Sequence, residues 1–420
     1  MAMDSAHIYR EKLARLETVI AGKEPDRVPV TAMVDLFHGR YAGYSAQEIF
    51  FDYGKNHDAA MKTAKDFDFD SLLVLNGLEG MNMVLTFMKN NPPLASGARF
   101  MTGPFHQILK DVYTKWPGVE LDASAHPQFV GKEIMKQEEY GQFIADPSGF
   151  LNRVALPRMC PALADPGSPA ANAAMLAYGA ELSKSGAAQM GVIGGLGQMG
   201  IPTFPTAWSY APLDVMSDFL RDIRNIVLDI YRKPDLVKQA TAALVDPLVE
   251  SARLSGTVPP EVKKALGTNV VECFFPLHLN EYLNPKLYNE FYWPSLKKVL
   301  LEVIKMGQTP YILVEGRHDA HLETFLELPK GKIIAVFDKT DPRKVREVLD
   351  DHVILVSGPP NSLLIGGTPQ KVDDYMKSML DDCKQGGMMI YPGADGGISG
   401  EAKPENVKAL IDAVKKYGTY

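Results

Sequence analysis

The sequence predicts an α/β fold, a (β/α)8 TIM barrel, on three observations. Short apolar runs bounded by turn residues recur along the chain, the form that buried strands take. Stretches with helical spacing separate most of them, and such alternation implies parallel strands joined by right-handed crossovers. The runs number eight, which suits a closed barrel better than an open sheet.

The elements follow in order. Residues 5–21 read as an amphipathic helix with Tyr9, Leu13, Leu16 and Ile20 on one side, in an N-terminal helical extension over 1–25. Strands are expected at 28–34, 71–75, 190–194, 269–275, 311–314, 332–337, 353–356 and 387–391. Helices are expected at 219–231, 234–255, 285–306, 321–328, 342–349 and 369–384. Several open on proline, whose missing N–H costs nothing in a first turn. The Pro- and Gly-rich segment 77–188 reads as long loops with inserted helices capping one barrel end. Thr368 is expected to cap the helix it precedes.

All 420 residues are expected to form one domain, since α/β barrels exceed the usual domain size as single units. With 46% hydrophobic and 23% charged residues, the composition is that of a globular chain. A net charge of −7 speaks against nucleic acid as the default partner. The N-terminus lacks the apolar core of a signal peptide, and no apolar run reaches the ~20 residues of a membrane span. A cytoplasmic location without membrane attachment is therefore expected. Cys160, Cys273 and Cys383 are far apart, so they read as small buried hydrophobes rather than a disulfide frame or zinc knuckle.

In such barrels chemistry sits where strands end and βα loops begin. Asp35 and Arg40 follow the first strand, and Asn76 the second. Gln198 follows the glycines after 190–194, and His278 follows the fourth strand. Glu315, His318 and Asp319 follow the fifth, and Asp338 the sixth. Asn361 and Asp395 follow the last two. Glu315, His318, Asp338 and His278 are the candidate catalytic residues, since carboxylates and imidazoles serve as general acids and bases. Asp35, Arg40, Asn76, Gln198, Asn361 and Asp395 are the candidate substrate ligands. Glu315, His318 and His278 could also ligate a metal such as zinc. The competing reading of 315–321 is a solvated loop opening a helix, with Asp319 as its N-cap. The loop Gly194-Gly195-Leu196-Gly197-Gln198-Met199-Gly200 precedes a Pro-rich stretch that cannot start a helix, so it reads as room for a bulky ligand rather than a phosphate cradle. Tyr282, Tyr288, Phe291, Tyr292 and Trp293 read chiefly as helix packing.

Several segments carry a resemblance. Lys23-Glu24-Pro25-Asp26-Arg27-Val28-Pro29-Val30 is similar to the N-terminal strand entry of the uroporphyrinogen decarboxylase superfamily. Asn284 through Lys297, Thr309 through Gly316, Gly366 through Val372 and Ala402 through Val407 resemble its later signatures. The resemblance implies two chemistries: cofactor-free decarboxylation of a carboxylated tetrapyrrole, and methyl transfer involving corrinoid proteins. Where decarboxylases have two arginines, Leu36-Phe37-His38-Gly39-Arg40-Tyr41 keeps only the second. Gly43-Tyr44-Ser45-Ala46-Gln47-Glu48 is similar instead to the methyltransferase branch. Many members of that branch bind zinc through His-x-Cys and a later Cys, and Leu313, Glu315 and Ala394 stand at those places here. The resemblance thus implies a methyltransferase acting on a small methylated molecule, with a corrinoid (cobalamin) as methyl carrier. The carrier would be a separate protein, because no D-x-H-x-x-G signature is present. A homodimer is the family-like expectation, with the stretch from Tyr288 to Trp293 as a candidate contact.

Overall fold

The computed structural model describes residues 5–34, 36–394 and 396–420. Eight parallel strands form the barrel: β1 Thr31–Val34, β2 Ser71–Val74, β3 Thr206–Trp208, β4 Glu272–Leu277, β5 Thr309–Val314, β6 Ile334–Phe337, β7 Ile354–Ser357 and β8 Met388–Ile390. β3 to β8 pair in sequence order in one sheet, and β1 pairs with β2. The Ile390 N–H donates to the Pro29 carbonyl at 2.8 Å, and a parallel bridge joins Val30 to Ile390, so β8 abuts β1. The order around the barrel is therefore β2, β1, β8, β7, β6, β5, β4, β3. No backbone ladder joins β2 to β3 among the described residues; the Ser71 hydroxyl donating to the Pro202 carbonyl at 3.1 Å spans that seam.

One expected strand lies elsewhere. Residues 190–194 belong to the long helix Pro169–Gln198, capped by the Ser168 side chain. Val192 and Leu196, four apart, are the buried face that reads as a strand in isolation. Gly195 is needed for close packing: a Cβ there would lie 2.5 Å from Met61 Sδ on the neighbouring helix Tyr53–Asp66. The true third strand, Thr206–Trp208, follows Pro202 and Pro205 and opens on a polar residue, so no apolar run marks it.

Helix Ser5–Ile20 closes the N-terminal end of the barrel. Its Leu16 and Val19 pack with Met33, Leu313, Ile334, Val336, Ile354, Val356 and Met389, the inward layer of the strands. Each fully buried side chain of this kind contributes about 1.5–3 kcal/mol. At that same end Asp70 is fully buried. It accepts hydrogen bonds from Arg15 Nη1 at 2.6 Å, from Arg27 Nη1 and Nη2 at 2.8 and 3.0 Å, and from the Val30 N–H at 2.8 Å. The clamp ties the entry helix to the first two strands.

The segment 77–188 covers the opposite end with short helices and two antiparallel pairs, Leu78–Glu79 with Phe100–Met101 and Thr114–Lys115 with Gln128–Phe129. Thr368 caps its helix, accepting from the Lys371 N–H. The three cysteines are free and buried, and burial pushes each thiol above its ordinary pKa. Tyr288, Phe291, Tyr292 and Trp293 are buried within the chain, as helix packing requires. No helix among the described residues is long and apolar enough to cross a membrane.

Candidate functional site

At the C-terminal mouth of the barrel lies a chamber of about 280 Å3. Its walls are apolar, from Met33, Leu73, Phe100, Trp208, Phe274 and Leu313; its polar groups are Glu79, His126, His278 and Glu315. His278 and Glu315 directly follow β4 and β5, which set them side by side.

His278 is the centre of a carboxylate–imidazole–carboxylate chain. Its Nδ1 lies 2.6 Å from Asp218 Oδ2, and its Nε2 lies 3.2 Å from Glu315 Oε1. Burial opposes charge on the ring, but Glu315 and Asp218 together outweigh it and hold the imidazole pKa well above its ordinary value. Both carboxylates favour the charged ring, which in that form donates to each of them. The Tyr210 hydroxyl and the Ser217 hydroxyl donate to Asp218 at 2.8 Å each, fixing the acceptor. Asp218 sits in the π-helical turn Met216–Arg221, a distortion that recurs at functional sites.

A second buried carboxylate holds the frame. Asp214 accepts from the backbone N–H groups of His278 and Leu279 at 3.0 and 2.9 Å and from the Tyr292 hydroxyl at 2.6 Å. Burial, then the charge of Asp218, pushes its carboxyl up to about 7. Glu79 enters from the cap. Its Oε2 is buried with no hydrogen-bond partner among the described residues. Burial pushes its carboxyl up to about 8, the nearby His278 pulling the other way.

The remaining sequence candidates divide. Asp338 accepts from the Gly316 N–H at 2.9 Å and thereby holds the turn after Glu315, where Gly316 has φ +71°. It positions the loop. Asn361 donates to the Gly397 carbonyl at 2.8 Å and accepts from the Ser399 N–H at 2.9 Å, bracing the loop after β8. Arg40 is at the surface, donating to the Ser124 carbonyl at 2.9 Å and pairing with Glu401 at 3.4 Å. Asn76 lines a separate lateral cavity beside the β2–β3 seam, with Arg99 and Gln189. Gln198 is exposed at the end of its helix, because the segment before it is helical and leads to no barrel loop. Asp35 and Asp395 lie outside the described residues.

His318 is corrected. It is fully buried, with its ring against Tyr288, His321 and Phe325. Burial, then His321, pushes its pKa down to about 3, so it is a neutral core residue. The helical turn after it is capped by no side chain, neither His318 nor Asp319. The proposed metal set Glu315, His318 and His278 is therefore not assembled: His318 faces the aromatic cage. Among the described residues, no three His, Cys, Asp or Glu side chains are grouped to hold a metal ion. Leu313 and Glu315, at two of the places where the resemblance implies zinc ligands, do line the chamber. An apolar side chain and a carboxylate paired with an imidazolium do not fit a zinc–thiolate site.

Sequence reasoning missed Asp214, Asp218 and Glu79. The first two were within reach: carboxylates four apart inside the apolar run Tyr210 to Leu220 share one helical face, where a charge is unexpected.

The family model of uroporphyrinogen decarboxylase (URO-D) matches residues 205–417, from the start of β3 through β8 to the last helix. Among solved structures, a methyltransferase from Methanosarcina mazei is similar at a TM-score of 0.59 and 15% identity, covering 96% of this chain and 98% of that one. At that identity the likeness is one of fold. No curated protein matches the chain.

Proposed function

The chain belongs to the uroporphyrinogen decarboxylase family, and from that premise we propose that it is a methyltransferase. It takes a methyl group from a small methylated molecule and passes it to a corrinoid carried by a separate protein. The observation that carries this reading is the chamber itself: about 280 Å3, apolar-walled, with the Asp218–His278–Glu315 chain at its edge. Drug-sized ligands occupy roughly 300–1,000 Å3, so this volume suits a small donor and leaves a tetrapyrrole or corrinoid ring outside.

Decarboxylation of a polycarboxylated ring would need fixed cations in the site. Among the described residues that line the chamber there is no arginine or lysine. The decarboxylase alternative is correspondingly weaker.

A corrinoid supplies a nucleophilic cobalt to which the methyl group transfers. The chain's own residues bind and orient the donor and exclude water. The electron pair of the broken bond leaves with the donor heteroatom. Where that atom needs a proton, Glu315 is the group placed to relay one, drawing on the imidazolium of His278 behind it. Asp218 keeps His278 oriented, and Asp338 keeps the Glu315 loop in place.

The test is corrinoid absorbance, followed with reduced cobalamin as methylated amines, ethers and thioethers are supplied. Donor-dependent methylation that requires the protein supports the reading. No conversion with any donor, together with CO2 release from a carboxylate panel, would replace it with the decarboxylase.

A further inference from the structure

The chamber combines an aromatic wall with an excess of carboxylate. Trp208 packs against Phe100 at 4.8 Å between ring centroids and against Phe274 at 5.0 Å, so three aromatic rings adjoin on one side. Glu79 and Glu315 stand among the polar groups of the same chamber. Glu79 presents a buried, unpartnered oxygen, a group that is costly to hold without a donor or cation. Glu315 and Asp218 face one imidazole, His278, and Glu79, its carboxyl raised by burial to about 8, is a third acid that a bound cation would draw into its ionised form. Arg99 lines the lateral cavity and not this chamber; its guanidinium lies 5.4 Å from the Trp208 ring and 5.7 Å from the Phe100 ring, and its charge acts on Glu79 from that side.

Aromatic faces attract cations through the ring quadrupole, and alkylated ammonium groups suit them because their charge is spread over methyl groups that lose little hydration. A carboxylate beside such a wall supplies the countercharge without demanding a hydrogen bond. A neutral ether or thioether would bring no charge to meet Glu315 and Asp218, and an anion would meet like charge. We infer that the donor is a methylated ammonium compound, its methyl groups held against Trp208, Phe100 and Phe274 and its charge balanced by Glu315 and Glu79. The inference deepens the methyltransferase reading and rests on it only for the use made of the ligand. Transfer of one methyl group would convert a quaternary ammonium to a neutral tertiary amine: the C–N bond breaks with its electron pair staying on nitrogen, the corrinoid acceptor would supply the pair for the new bond to the methyl carbon, and no proton is required. Glu315 then serves in recognition of charge.

The test is calorimetric titration of the protein, with no corrinoid present, using tetramethylammonium, choline and 3,3-dimethylbutan-1-ol, the uncharged isostere of choline. The expected result is saturable binding of both cations, with the isostere at least about tenfold weaker, the factor that 1.4 kcal/mol represents. Glu315→Gln and Glu79→Gln should each weaken choline and leave the isostere unchanged, with folding of both variants verified by circular dichroism. Isostere binding as tight as choline, or no binding of either cation, would overturn the inference. Methyl transfer from an ether or thioether without cation binding would sink it while leaving the methyltransferase reading intact. Cation binding without methyl transfer to any corrinoid would do the reverse.

Discussion

Asp70 offers a sharp test, because the fold places it at the end of the barrel opposite the chamber. The perturbation is Asp70→Asn. Asp70 accepts four hydrogen bonds, three of them from guanidinium groups. The side chains of Arg15 and Arg27 are 11% and 15% exposed, so their charges would lose a buried partner. Removing one member of such a pair costs about 3–5 kcal/mol. Asparagine keeps one oxygen for a donor, and Arg15 retains Asp26 at 2.7 Å, so the lower end, about 3 kcal/mol, applies. A chain of this length unfolds with an entropy of about 0.9 kcal/mol/K, which converts that loss into a Tm drop of about 3 °C. Differential scanning calorimetry reads the drop, and titration with choline reads the site. A Tm drop below about 1 °C together with lost ligand binding would refute the assignment of Asp70 to the frame.

Two further perturbations report on buried titrations. Glu79 is raised by burial to about 8, so its contribution to stability is present below the unfolded carboxyl pKa and lost as pH rises toward 8. Tm of the wild type should therefore fall more between about pH 5 and 8 than Tm of Glu79→Gln; equal slopes would contradict the burial. Asp214 and Glu272, both raised to about 7 by burial, titrate in the same direction, and the comparison of the two proteins removes them. His318 is lowered to about 3, so its contribution is present above the unfolded histidine pKa and lost as pH falls toward 3. His318→Phe keeps a ring in the cage, should lessen the stability lost between about pH 7 and 5, and should leave choline affinity unchanged; lost affinity would return His318 to the site.

Most of the barrel was legible because seven of its strands are runs of apolar residues between turn signals, each long enough to stand out. β3 was not, because three residues after two prolines carry no periodicity, while Val192 and Leu196 next to glycines imitate a strand. The site was legible where a strand end delivers a charged side chain directly, as at His278 and Glu315. It was misread where a strand-end residue turns inward. His318 enters an aromatic cage whose members Tyr288 and Phe325 come from elements on either side of it. Asp338 and Asn361 lie at strand ends as expected, yet they hold backbone N–H and carbonyl groups of neighbouring loops. Asp214 and Asp218 reach His278 from the helical segment 212–221, some sixty residues upstream, a relation that only the tertiary fold creates. Glu79 belongs to the cap, where loops carry no periodic signal at all.

The most direct measurement of the central claim is kcat/KM for methyl transfer by the wild type, Glu315→Gln and Asp70→Asn under one set of conditions. Loss of a carboxylate that touches the donor should lower kcat/KM by about ten- to a hundredfold, as a charged partner worth about 1.5–3 kcal/mol implies. Asp70→Asn, at the far end of the barrel, should stay within about twofold of the wild type below its Tm. An unimpaired Glu315→Gln beside an inactive, folded Asp70→Asn would place the chemistry at the other end of the barrel and contradict the account.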